Sequence, residues 1–344
     1  MHMTPRDKLL ANLRGSSASG NRVSSAPDSG PSLLCPGGMM SSAVTEVMSE
    51  CNAPWPEAHV DPKAMVRLAL AMQDATGFDN LAVPFCMTIE AECYGAKVNL
   101  GALAVQPRVR DTLLPSDGTG VLRTPDWHSG RAAVLIDSLR RLRALRPQSA
   151  IVGNLVGPFS LLGTLMDPMW MLRWARRRPD FVRGYLARVT SALVEFGRLQ
   201  IRAGADVICI AEPTGTGEIL GPALFALLVA PFLQELTDRL RSEGAAVIIH
   251  ICGDARSIED ELSKLRVDAV SFDSVVDVVD LVKRAPPWRV MGNVSPFLLA
   301  GVSRPAIAEV CRGLLDGGVR LIAPGCGIIP TTPVANLKAM RAAV

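Results

Sequence analysis

Three side chains stand out for the chemistry they could do together: His250, Cys252 and Cys326. His250 and Cys252 end the apolar run AAVIIHIC. On a strand, residues two apart project to the same face, so the imidazole and the thiol would point together while Ile251 points away. Cys326 lies in APGCGIIP, where two flanking glycines let a thiol approach its surroundings closely. One histidine and two cysteines suit zinc, and three protein ligands leave a fourth position open, as in catalytic sites. The same spacing also fits a buried, hydrogen-bonded strand histidine and two inert core thiols.

Such a group needs a scaffold that brings distant strand ends together. Short apolar runs at 32–36, 82–87, 150–156, 206–212, 246–252, 268–273, 289–293 and 319–324 alternate with segments of helical period such as 130–145, 179–203 and 231–243. Nearly continuous Val, Ile, Leu and Ala are what parallel strands covered on both faces require. Eight of them predict an α/β fold, a (β/α)8 TIM barrel, with an open parallel sheet as the alternative. In a barrel the polar residues that matter sit where strands end. Here those are the loop from Cys35 to Met40, Glu90 and Glu92, Asn154, Glu212, His250 and Cys252, Asp273, Asn293, and Cys326. Gly37 and Gly38 suggest close backbone approach, and Met39 and Met40 either line the mouth for a large planar cofactor or fill core. Asp273 is either a site acid or a group that forms a salt bridge or orients His250.

The chain has 344 residues, 49% hydrophobic and 20% charged, which excludes disorder throughout. A net charge of +3 does not call for nucleic acid. The longest apolar run, Ile219 to Leu233, is broken by Gly221, Pro222 and Pro231 and falls short of the roughly 20 residues of a spanning helix. No membrane span is expected, and the charged N-terminus has no signal-peptide core, so a cytoplasmic location is expected. Eight cysteines scattered along the chain read as reduced thiols. Thr4-Pro5-Arg6-Asp7 predicts a helix start, and residues 15–31, GSSASGNRVSSAPDSGP, predict a flexible loop. The expected organisation is an N-terminal helix and loop over 1–31 and one barrel domain over 32–344. Arginines 140, 141, 143 and 146, and 173, 176, 177, 178, 183 and 188, form two clusters that read first as solvated helix faces, with docking of an acidic protein through the same charges as the alternative. Nucleotide-binding glycine motifs are absent from the sequence.

VPFCMTIEAECYGAKVNLG (83–101), GPFSLLGTL (157–165), GADVICIAEPTG (204–215), IIHICGD (248–254), GNVSP (292–296) and APGCGIIPTTPVANLKAM (323–340) resemble the methylcobamide:coenzyme M methyltransferases, the zinc branch of the uroporphyrinogen decarboxylase superfamily. CPGGMMSSAVTEVM (35–48) and WPEAHVDPKAMVRLA (55–69) extend the resemblance over nearly everything after residue 31. It implies the superfamily's barrel, zinc held by His250, Cys252 and Cys326, and a methyl group moved between a methylated corrinoid and a thiol such as coenzyme M. Transfer to or from tetrahydrofolate is the alternative within that chemistry. The fourth zinc position would alternate between an internal acid and the substrate thiolate, with Glu90 and Glu212 as candidates and Glu92 and Asp273 behind them. Neutral histidine with two thiolates leaves Zn2+ formally uncharged, so an added substrate thiolate stays electron-rich and nucleophilic.

The chain has no DxHxxG segment of the cobalamin-domain kind, so the corrinoid is expected on a partner protein. Uroporphyrinogen decarboxylation, the other activity of the superfamily, is not expected. That branch's Arg-rich N-terminal motif, its aspartate after the second strand and its tyrosine in the GP(W/F) segment are here replaced by CPGGMM, PFCMTIEAE and GPFSLLG. A zinc- or thiol-binding protein without catalysis is the non-enzyme alternative; an open three-ligand set favours an enzyme.

Overall fold

The computed structural model describes residues 3–15, 30–34, 42–115, 120–301 and 303–344. Gly37, Gly38, Met39 and Met40, the expected cofactor-binding loop, lie outside the described residues. Eight parallel strands form one sheet: β1 (Ser32–Leu33), β2 (Asn80–Ala82), β3 (Ala150–Val156), β4 (Val207–Glu212), β5 (Ala246–Ile251), β6 (Ala269–Phe272), β7 (Arg289–Val294) and β8 (Leu321–Pro324). Neighbours run β1-β8-β7-β6-β5-β4-β3-β2. The remaining seam, β1 to β2, is joined by Asp79, whose N–H donates to the Leu33 carbonyl at 2.9 Å and whose carboxylate accepts from the Leu33 N–H at 2.8 Å. The sheet is thus the expected (β/α)8 barrel and not an open one.

Strand boundaries match the sequence reading within about two residues for the third to eighth runs; β1 is described only over Ser32–Leu33 of the run 32–36, and the second run is displaced. There β2 stops at Ala82, because Pro84 has no N–H to continue a ladder and the chain turns away into the short helix Ile89–Cys93. Among the helices are α1 (Pro5–Arg14), α2 (Gly130–Leu145), α3 (Pro158–Leu165), α4 (Pro168–Arg177), α5 (Pro179–Arg202) and α6 (Gly217–Leu228). The apolar run from Ile219 divides between α6 and the helix Ala230–Ser242, which are bent 61° apart. No single helix among the described residues is long and apolar enough to cross a membrane.

Alternate strand residues fill the lumen. Val152, Val207, Cys209, Ala246, Ile248, Ala269, Met291 and Leu321 form one buried cluster, and Leu9 and Leu13 of α1 belong to it. The sequence reads α1 as an extension, but the structure makes it the floor of the barrel. Thr4 Oγ1 caps its start by accepting from Asp7 N–H at 3.1 Å. Arg6 donates to Asp206 at 2.8 Å below β4, and the Asn12 amide donates to Ser32 Oγ at 2.8 Å. Leu9 and Leu13 are 0% and 1% exposed. Each Leu→Ala change should lower unfolding free energy by about 2–5 kcal/mol, read as a shift in denaturant midpoint; changes below about 0.5 kcal/mol, the size of an ordinary surface substitution, would mean that α1 is peripheral.

Candidate metal centre

β5 has lumen residues at 246 and 248, so the pleat sends His250 inward and Cys252 after it. His250 is buried, and its Nε2 lies 3.2 Å from Cys252 Sγ. Cys326 follows β8. Gly325 is required before it, since a Cβ there would sit 2.8 Å from the Ser274 backbone nitrogen. The chain passes that close to the loop after β6, and the thiol reaches the other two residues. One donor atom from each of His250, Cys252 and Cys326 lies within 4.8 Å of the others.

The other ring nitrogen of His250, Nδ1, is 3.1 Å from Ser271 Oγ, its register partner on β6. That contact fixes the imidazole plane and leaves Nε2 facing the thiols. Sequence reasoning considered Asp273 for this orienting role, but the structure gives it to Ser271, two residues earlier on the same inward face. Ser271→Ala should weaken metal affinity by roughly 10–100-fold, as loss of an outer partner of a ligating histidine does. Competition with a chromophoric chelator measures it; an unchanged affinity would remove Ser271 from the centre.

The two thiols are unlike. A hydrogen bond from Cys252 draws the Cys326 sulfur toward thiolate against the effect of burial, with His250 and the Gly327 N–H also helping. Donating to Cys326 and being buried beside it, with Asp273 and Glu212 nearby, pushes the Cys252 thiol strongly up.

The acids fall in three different places. Asp273 accepts from the Gly253 N–H at 3.2 Å and from Ser274 Oγ at 3.2 Å, beside the loop that leaves Cys252. Glu212 ends β4 with the parity of Ile208 and Ile210, which pack toward the helices. Its carboxylate caps the start of α3, accepting from Phe159 N–H at 3.1 Å, from the Ser160 hydroxyl, and from Gly215 N–H at 3.1 Å. Gly157 is needed here, because a Cβ would sit 2.3 Å from Glu212 Oε2. Burial pushes Glu212 up to about 7 despite these donors. Glu90, on the short helix after β2, accepts from Val156 N–H at 2.9 Å and is likewise pushed up to about 7 by burial. Glu92 pairs with buried Arg131 at 2.6 Å. Among the described residues no carboxylate joins the His250, Cys252 and Cys326 group. Glu212 and Glu90, the sequence-based candidates for a fourth ligand, accept here from backbone N–H groups.

Asn154 and Asn293, expected at the mouth, are buried on β3 and β7. Asn293 donates to the carbonyls of Asp273 and Val276, both at 2.8 Å, which holds the β6 loop against β7. Asn154 donates to the Val83 carbonyl at 2.9 Å, and its own side-chain oxygen has no partner among the described residues.

The profile of the uroporphyrinogen decarboxylase (URO-D) family matches residues 21–344. The chain belongs to the URO-D family. Within it, the chain is 28% identical to the methylcobamide:CoM methyltransferase MtaA of Methanosarcina barkeri, over 99% of this chain and 97% of that protein. It is 29% identical to the methylcobamide:CoM methyltransferase MtbA of Methanosarcina acetivorans, over 87% of this chain and 89% of that protein. A solved structure described as a methyltransferase from Methanosarcina mazei superposes with a TM-score of 0.90 at 28% identity, covering 99% of this chain and 98% of that one. For this URO-D family member, the barrel expected from the run pattern and the family expected from the motifs agree.

Proposed function

We propose that this chain is a cytoplasmic, zinc-dependent methyltransferase that moves a methyl group from a methylated corrinoid, delivered by a partner corrinoid protein, to a thiol of the coenzyme M kind. The observation that carries this reading is the His250, Cys252 and Cys326 group at the C-terminal mouth of a URO-D barrel. A donor set of one imidazole and two thiols suits zinc, and no fourth described side chain closes it. The named activities of MtaA and MtbA supply the substrates it is expected to share.

His250 Nε2 and the sulfurs of Cys252 and Cys326 would hold the ion. Zinc bound there would lower the pKa of a substrate thiol while leaving its sulfur nucleophilic. The chain's own residues prepare that site. Ser271 orients His250, and the two hydrogen-bonded thiols would bind metal as thiolates, so metal entry would release protons. Asp273 fixes the Gly253 backbone and with it the direction of Cys252, and we assign it as the acid beside the centre. Glu212 and Glu90 serve the site by holding the start of α3 and the end of β3 in place.

Metal-loaded protein incubated with methylcobalamin and, separately, coenzyme M, homocysteine and tetrahydrofolate tests this reading. Methylation of coenzyme M at the highest rate is the expected result. Transfer to tetrahydrofolate alone would move the acceptor from a thiol to a pterin, and no transfer to any of them would overturn the proposal.

A further inference from the structure

The two arginine clusters, alike in sequence, differ in the structure. On α2, Arg141 pairs with Asp137 at 2.7 Å, Arg143 pairs with Asp206 and donates to the Gly204 carbonyl at 2.9 Å, and Arg146 pairs with Asp74 at 2.8 Å. Those charges hold the fold together. On α4 the pattern is reversed. Arg173 stacks 4.8 Å over the Trp170 ring, and Arg178 lies 4.9 Å from Trp174 and 5.1 Å from Phe181. Arg173, Arg176 and Arg177 are exposed and meet no carboxylate among the described residues. Of the two acids beside them, Asp167 caps α4 through the Met169 and Trp170 N–H groups, and Asp180 lies 3.6 Å from Arg183.

This ridge has an apolar component as well. Met169 is 76% exposed, and with Trp170, Leu172 and the three arginines it lines a shallow groove of about 450 Å³. Exposed thioether, half-buried indole and unpaired guanidinium are the mixture that protein interfaces favour over bulk surface. The position is equally informative. α4 follows α3, which starts where β3 ends, and packs against α6, which starts just beyond β4. α6 in turn packs on the short helix Arg256–Ile258, four residues beyond Cys252. Packing contacts thus connect the ridge through α6 to the loop that leaves Cys252.

We infer that the Trp170, Arg173, Arg176 and Arg177 face of α4 is the docking surface for an acidic protein domain, the one that delivers the methylated corrinoid. This rests on the proposed methyl transfer and adds where and by what forces the donor is received. An acidic partner meets unpaired guanidinium groups that no intramolecular carboxylate screens, which raises the encounter rate and orients the donor toward the mouth.

The test uses the full-length, metal-loaded protein with two donors: free methylcobalamin, and a cobalamin-binding protein reconstituted with methylcobalamin and encoded by the same genome. The triple variant R173E/R176E/R177E should raise KM for the protein donor by about tenfold or more and flatten its salt dependence. Its rate with free methylcobalamin should match the wild type, which also shows that the site is intact. R140E, at an exposed arginine of α2 away from the α4 ridge, should leave both unchanged. An unaltered KM and salt dependence with the protein donor would overturn the docking surface alone. So would an R140E effect as large as that of the triple variant. Failure of the wild type to use either donor would overturn the methyl-transfer reading, and the docking surface with it.

Discussion

Cys252→Ala and Cys326→Ala should each fold and yet hold far less than the one zinc per chain expected of the wild type. Neither thiol lies in the core: both are half-buried at the mouth, so truncation leaves no large cavity. What is lost is a thiolate from a set of three, and affinity should fall by more than the roughly 10–100-fold that an outer partner costs. Methyl transfer from free methylcobalamin to a thiol should fall with it, because the metal is what would activate the acceptor sulfur. Metal analysis after dialysis against a weak chelator, alongside circular dichroism, separates loss of metal from loss of fold. Both variants retaining a full equivalent would put the metal elsewhere.

Glu212→Ala should have the largest effect on stability, and that effect should depend on pH in a defined direction. The substitution strands the Phe159 and Gly215 N–H groups and the Ser160 hydroxyl in a site that is 0% exposed. Each orphaned donor costs about 1–3 kcal/mol. Folding raises the Glu212 pKa from 4.5 to about 7, so the folded chain holds a proton that the unfolded chain releases over this range. The wild-type contribution is fully present below about pH 4.5 and is lost as pH rises through about 7, a change of roughly 3 kcal/mol. The stability gap between wild type and Glu212→Ala should therefore be larger at pH 5 than at pH 8. A gap that widens toward pH 8 would show that the carboxylate is stabilised as an anion. Zinc content equal to wild type is expected, and its loss would restore Glu212 to the metal's coordination.

The legibility of this molecule from its sequence follows its periodicities. Runs such as 150–156 and 246–252 gave their strands because parallel strands covered on both faces leave little choice of residue, and the pleat that sets His250 beside Cys252 needs only two-residue alternation. The same alternation bears on Glu212: with Val207 and Cys209 in the lumen, residue 212 has the opposite parity and its carboxylate accepts from the Phe159 and Gly215 N–H groups, while still lying close enough to Cys252 to act on its thiol. Ser271 was missed because its role comes from register between β5 and β6, a nonlocal pairing that no spacing within one strand reports. The second run lies displaced past its strand: VPFC is as apolar as a strand, but the proline within it prevents continued pairing, and the strand itself is Asn80–Ala82. The function of α1 was likewise nonlocal, since an amphipathic helix does not state which surface it will cover.

With Leu9 and Leu13 sealing the lower end, the described residues leave the mouth as the way in, and under the proposed methyl transfer that would impose a queue. A small thiol and a bulky protein donor would share one doorway, so the thiol would have to be seated before the donor arrives and covers the rim. The methylated thiol would leave only after the demethylated carrier has stepped away. Turnover at saturating thiol would then be paced by exchange of carriers at the rim, and excess carrier should slow the enzyme by trapping product behind it.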